Sequence, residues 1–273
     1  MPLWICEACG LEHADTVAPP PVCVICTDER QFVPQSGQAW TTSVALERSG
    51  TALSIAEAEP GLDRMSVTPR VGIGQQALLV HTDAGNLLWE PPGFFSDASM
   101  NAVRERGGVA AISGSHPHLM GAMVSWSRAF GRAPIYVAAA DRAWTRRPDP
   151  AIVHWSGEAN PLPGIRLVQC GGHFAGSSVL HWADGAEGRG VILTGDTIFI
   201  GPDGRTVSAM RSYPNLLPLP EGAVSQILDR LDPLGYDRAY GSFGQVVESD
   251  ARDVVRRSLA RYIEWLRGEV DDF

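Results

Sequence analysis

Four short apolar runs in this chain each break into a glycine-marked loop, and three of those loops carry a histidine or an aspartate; this pattern restricts the fold more than any other. Val109 to Ser113 leads into Gly114-Ser115-His116-Pro117-His118, and Ile165 to Gln169 into Cys170-Gly171-Gly172-His173. Val191 to Leu193 leads into Thr194-Gly195-Asp196, and Arg238 to Tyr240 into Gly241-Ser242-Phe243-Gly244. Helical patterns and further strands are interspersed with the runs, so the expectation is α/β layers with helices covering sheet faces. In an α/β sheet, residues just past the strand carboxyl ends gather in one crevice. His116, His118, His173 and Asp196 are therefore expected to meet there.

Imidazole and carboxylate are common ligands of zinc and similar divalent ions, and three or four protein donors leave a water an open position. On a straight strand His116 and His118 would point to one face around Pro117, whereas a turn led by Pro117 would aim both rings inward; either geometry permits chelation. A lone histidine is more often a surface or hydrogen-bonded residue, the reading given to His13, His81, His154 and His181. Asp196 has a plainer use as a turn cap after its strand.

The surrounding elements follow from periodicity and turn chemistry. Ala77 to Thr82, a turn at Asp83-Ala84-Gly85-Asn86 and Leu87 to Trp89 predict a strand hairpin. Asp97 to Arg106 predicts a helix with Asp97 as N-cap and Gly107 as stop. A helix from about Ala122 to Phe130, strands at Ile135 to Ala138 and Ser178 to Trp182, and helices at Ala223 to Leu231 and Ala251 to Leu266 complete the pattern. Gly72-Ile73-Gly74-Gln75-Gln76-Ala77 matches a dinucleotide fingerprint by letters only, because a strand follows it where a phosphate-binding helix should begin.

Four of the five cysteines fall within the first 26 residues, as Cys6-x2-Cys9 and Cys23-x2-Cys26. Thiolates three residues apart at a tight knuckle converge on one cation, so the front reads as a metal-closed ribbon rather than two disulfides. Trp4-Ile5-Cys6-Glu7-Ala8-Cys9-Gly10 and the later Pro-rich approach to Cys23 and Cys26 resemble the rubredoxin-type module that ends rubrerythrins. The resemblance implies iron for electron transfer, whereas similar ribbons hold zinc for structure alone; the four thiolates suit zinc or iron. A module this small cannot bury enough core to fold alone, so metal binding should supply its folding energy, and the structural role leads. Pro34-Gln35-Ser36-Gly37-Gln38 reads as a linker, dividing a ribbon at 1–36 from a single domain at 37–273.

All 22 basic residues are arginine, which excludes chemistry that needs a lysine amine, Schiff bases and the phosphate-gripping lysine of a P-loop included. With 31 acidic residues the net charge is −9, disfavouring nucleic-acid and anionic-membrane partners. Neither a signal peptide nor a membrane-length apolar window is present, so a cytoplasmic protein acting on a small-molecule substrate is expected. No Gly-x-Ser-x-Gly elbow occurs, leaving the main nucleophilic hydrolases without their motif.

Ser115-His116-Pro117-His118-Leu119-Met120-Gly121, Gly172-His173-Phe174-Ala175-Gly176-Ser177 and Leu193-Thr194-Gly195-Asp196-Thr197 resemble the motifs of the metallo-β-lactamase superfamily, in the right order over about residues 65 to 250. The resemblance implies a four-layer αβ/βα sandwich with a metal site at one sheet edge. It assigns His116, His118 and His173 to a first metal and Asp196 to a bridge toward a second. This chain departs where the family motif continues with aspartate and histidine, having Met120 and Gly121, and it offers Ser242 or Phe243 in place of a later histidine. Neither methionine sulfur nor a phenyl ring replaces hard donors for zinc, so a one-metal site is expected.

The function that follows is a mononuclear metal-dependent hydrolase of unassigned substrate, with zinc or iron in the crevice. A second reading is an iron enzyme resembling the persulfide dioxygenases, with His116, His173 and Asp196 as a 2-His-1-carboxylate set. A third is a decayed, non-catalytic site. Arg211, Tyr213 and Asn215 lie in a Pro-containing loop able to supply an anion contact and a hydroxyl. Trp126 reads as core, and Cys170 as a small buried hydrophobe or a pocket-lining thiol.

Overall fold

The computed structural model describes residues 2–270. Two mixed sheets carry the body. The first has seven strands in sequence order: Ala52–Glu59, Leu62–Thr68, Ala77–Thr82, Gly85–Trp89, Ala111–Ser113, Ile135–Ala138 and Ile152–Trp155. The second has six, Glu158–Ala159, Ile165–Gln169, Ser178–Trp182, Val191–Leu193, Arg238–Tyr240 and Val246–Val247.

Alternation along the strands explains the layering. In Ala77–Thr82, Leu78 and Val80 face one way and Leu79 the other; in Ser178–Trp182, Leu180 and Trp182 oppose Val179. Leu78, Val80, Leu87 and Trp89 meet Leu167, Leu180, Val191 and Leu193 between the sheets. On the first sheet's outer face Leu79, Leu88 and Ile112 pack under helices Asp97–Glu105 and Met123–Ala129, through Val103, Val124 and Trp126. On the second sheet's outer face Val168, Val179 and Ile192 pack under Glu221–Leu231 and Ala251–Arg267. The result is the four-layer αβ/βα sandwich, with Trp126 in its core and Cys170 buried under the second sheet's helices.

Two local details differ from expectation. Ser96, not Asp97, caps the second helix: its hydroxyl accepts from Ser99 N–H while Ser99 Oγ accepts from Ser96 N–H, a reciprocal pair that outcompetes a lone aspartate. The hairpin turn contracts to Asp83 and Ala84, because Gly85 and Asn86 already pair with Thr82 and His81.

The ribbon is docked rather than tethered. Ile5–Cys6 pairs with Trp40–Thr41, and Cys6, Cys9, Cys23 and Ile25 form a small core with Trp40 and Trp144. The anchor is Glu12, whose buried carboxylate accepts from Val124 N–H, Ser125 N–H, Ser125 Oγ (2.7 Å) and Arg147 Nη1 (2.6 Å). Two of those donors are unpaired amides in the first turn of helix Met123–Ala129, where a carboxylate also meets the positive end of the helix dipole. Burial raises the Glu12 pKa, and the Arg147 charge opposes that rise.

Breaking one side of this pair leaves a guanidinium buried without its main acceptor, which costs about 3 kcal/mol. Glu12→Ala is thus expected to lose about that much stability in urea unfolding of metal-loaded protein; a loss below about 1 kcal/mol would remove Glu12 as the anchor.

Candidate metal centre

Strands Ile165–Gln169 and Val191–Leu193 both run antiparallel to Ser178–Trp182, so their carboxyl ends lie together. Arg238–Tyr240 runs parallel to Val191–Leu193, and Ser115 O at the end of the first sheet accepts from Ser178 N–H, joining the two sheets at this edge. His116, His118 and His173 each project a ligand atom here, all within 4.8 Å of one another. A 3-10 turn over Pro117–Leu119 aims both rings of the first pair inward, settling the choice between strand and turn.

Tautomers follow from the outer nitrogens. Ser115 Oγ–H donates to Glu90 Oε1 at 2.6 Å, so its lone pair is left to accept from His116 Nδ1–H at 2.9 Å. His173 Nδ1 faces the carbonyls of Met210 (3.2 Å) and Arg211 (3.1 Å), which only an N–H can satisfy. Nε2 of both rings therefore carries a bare lone pair, and among the described residues neither these atoms nor His118 Nε2 has a hydrogen-bond partner. Burial, followed by the neighbouring imidazoles, holds His116 and His118 well below the usual histidine range. Burial also lowers His173, to about 4. Three neutral imidazoles whose buried Nε2 atoms have no partner fit a divalent cation by their chemistry.

Asp196 sits beside them, Oδ2 lying 3.7 Å from His116 Nε2. Burial raises its carboxyl to about 7. Glu90, behind Ser115, is raised to about 8, chiefly by burial. Tyr213 OH donates to the Asp196 carbonyl at 3.1 Å, which brings one member of the Pro-containing loop to the site; Arg211 instead pairs with Glu29.

Met120 and Gly121 are committed elsewhere. Met120 is buried in the core under the first sheet. Gly121 has φ +41°, and a Cβ there would come within 2.0 Å of the Pro91 carbonyl, so no histidine fits. Ser242 is buried, while Phe243 contributes a wall.

At the ribbon, Cys6 Sγ lies 3.5 Å from Cys26 Sγ and Cys9 Sγ 3.7 Å from Cys23 Sγ, and all four sulfurs fall within 4.8 Å. Disulfides need about 2.05 Å; a tetrahedron of ~2.3 Å metal–sulfur bonds needs sulfurs roughly 3.8 Å apart. His13 Nε2 approaches Cys23 Sγ at 3.7 Å. His81 is held by Asp63 and Asn86, His181 pairs with the Gly235 carbonyl, and His154 is exposed.

Sequence reasoning missed Glu90 and Arg30. Glu90 ends the strand Gly85–Trp89 ahead of Pro91-Pro92-Gly93, and an acid directly after an apolar strand was the available signal. Arg30 had none: its guanidinium is held by Asp28, donates to the His173 carbonyl at 3.0 Å and covers the Phe174 ring at 3.5 Å, a contact made only by docking.

The sequence model of the family described as the metallo-beta-lactamase superfamily matches residues 98–242. The uncharacterized protein YmaE of Bacillus subtilis (strain 168) is 42% identical over 272 residues, spanning 99% of each chain. Among solved structures, a B3 metallo-beta-lactamase with an active-site glutamic acid aligns with a TM-score of 0.54 at 15% identity, covering 82% of this chain and 96% of its own. The structure of TMB-1 aligns at 0.57 and 13%, covering 77% of this chain and 98% of its own. At these identities the two structures establish the shared fold.

The donor sets lead to a stoichiometry. Element analysis of the purified protein should find two metal equivalents per chain, with His116→Ala losing one and Cys9→Ser the other; two equivalents retained in His116→Ala would dissolve the crevice site.

Proposed function

Since this chain belongs to the metallo-beta-lactamase superfamily, we propose that its crevice is the active centre of a hydrolase using one divalent cation, held by His116, His118 and His173 beside Asp196. The observation that carries the reading is the set of three buried, unpartnered Nε2 atoms. A divalent ion in such a set lowers the pKa of bound water to about 7 and polarises an acyl or phosphoryl oxygen. Zinc and iron(II) both suit the donors.

The chain's own groups supply the rest. Asp196, its Oδ2 3.7 Å from His116 Nε2, is placed to take a proton from the attacking water and return it to the leaving group. Glu90 and Ser115 hold the His116 ring through its Nδ1, keeping its inner lone pair aimed at the shared centre. Phe174, fully buried, stacks 5.4 Å from His116 and excludes water from one side of the cup. The packing of Met120 and Gly121 supports a mononuclear rather than a binuclear mechanism.

A panel of chromogenic esters, thioesters and phosphodiesters tests this. Hydrolysis of at least one should vanish on chelation and return with zinc or iron(II), while His173→Ala and Asp196→Asn should lower it by about a hundredfold or more. Turnover that survives in fully chelated protein would refute the assignment. Oxygen uptake with a thiol persulfide, in place of any hydrolysis, would move the same residues to the dioxygenase reading.

A further inference from the structure

Building on the reading of the crevice as an active centre, we propose that the four-cysteine ribbon is its specificity wall, and that the cavity between ribbon and cup takes a small apolar substrate bearing one anionic group. A cavity of about 320 Å³ opens over His118 and Asp196, a size that suits a ligand of small-molecule dimensions. The ribbon and its neighbours account for much of its lining: Phe32 and Arg30 on one side, Ile73 and Arg70 on another, with Phe199 and Phe243 completing an apolar enclosure.

Each knuckle of the ribbon holds one of those sides. Against the first knuckle, Gly72 approaches so closely that a Cβ there would come within 2.8 Å of the Cys9 carbonyl carbon, at a backbone φ of +63°. That contact sets the loop bearing Arg70 and Ile73. The second knuckle leads directly into Asp28, Arg30 and Phe32. There the carboxylate of Asp28 grips Arg30 at 2.6 and 2.7 Å while Arg30 donates to the His173 carbonyl, fastening the ribbon to the loop that carries one of the three imidazoles. Asn215 Nδ2 and Ser212 Oγ add donors to the Glu29 carbonyl from the far rim.

The two arginines differ in what they can offer a ligand. Arg30 is committed to Asp28, to the His173 carbonyl and to the Phe174 face. Arg70 has no ion pair or hydrogen bond with another described residue; its stem rests against Gly74, and its exposed head stands at the cavity mouth. In a chain of net charge −9, this uncommitted cation beside apolar walls is where an anionic group meets attraction instead of repulsion. A guanidinium also pairs a carboxylate or phosphate with two donors at once.

The test compares 4-phenylbutyrate with its neutral amide, binding each by calorimetry to the full, metal-loaded chain. Wild type should prefer the acid, and Arg70→Gln should weaken the acid about tenfold while leaving the amide unchanged. Phe32→Ala should weaken both probes alike, by about fivefold. An acid preference that persists in Arg70→Gln overturns the charge assignment, since the acid would then be held elsewhere in the cup. Unchanged affinities in Phe32→Ala overturn the ribbon as a wall, and failure of wild type to bind either probe overturns the site. Metal content measured on the same samples keeps the two readings apart: a crevice without a cation ends the hydrolase proposal, yet the probe comparison still stands, because neither Arg70 nor Phe32 is among the proposed ligands.

Discussion

Three imidazole rings sealed from water within one small cup cannot all carry positive charge, and this constraint governs the site. Burial keeps them neutral, with the neighbouring imidazoles adding to it at His116 and His118, and the outer nitrogens of His116 and His173 are tied to Ser115 and to the carbonyls of Met210 and Arg211. The inner lone pairs then have no protein donor to meet. A buried polar atom left in that state costs about 1–3 kcal/mol, so the fold tolerates three such costs in one place. A cation converts that local penalty into binding energy, which is why the cup is the most informative feature of the molecule.

The ribbon acquires meaning from the same edge. Glu12 fastens it to the start of helix Met123–Ala129, and Arg30 fastens it to the His173 loop. Two charged side chains of the module thus tie the four-cysteine ribbon to the crevice. Gly121 belongs to both arrangements: its carbonyl accepts from Glu12 N–H, and its closeness to Pro91 leaves no room for a side chain at that position. Docking the ribbon and excluding a side chain at position 121 are served by the same turn.

Much of this was readable along the chain. The strand-end loops stood out because a buried strand needs a run of apolar residues and the loop after it needs glycine to turn; His116, His118, His173 and Asp196 were conspicuous against both. Two cysteine pairs announced their knuckles for an equally local reason. The N-cap shifted from Asp97 to Ser96 because adjacent residues can each cap, and the reciprocal Ser96–Ser99 pair outweighs a lone aspartate. Glu90 stayed hidden because a carboxylate ahead of two prolines reads as an ordinary loop acid until Ser115 is seen against it.

Local spacing therefore determined the donor types, the order of the elements and the layered class, since each depends on neighbours a few residues apart. Which nitrogen of each ring points inward, how far the carboxyls of Asp196 and Glu90 rise, and that a front module walls a crevice built far downstream were decided by tertiary structure alone. Arg30 and His173 are 143 positions apart, and no periodicity or spacing relates them. Their contact exists because the folded chain lays the Arg30 guanidinium on the His173 carbonyl and the Phe174 ring, and that energy depends on three-dimensional complementarity that a linear pattern does not encode.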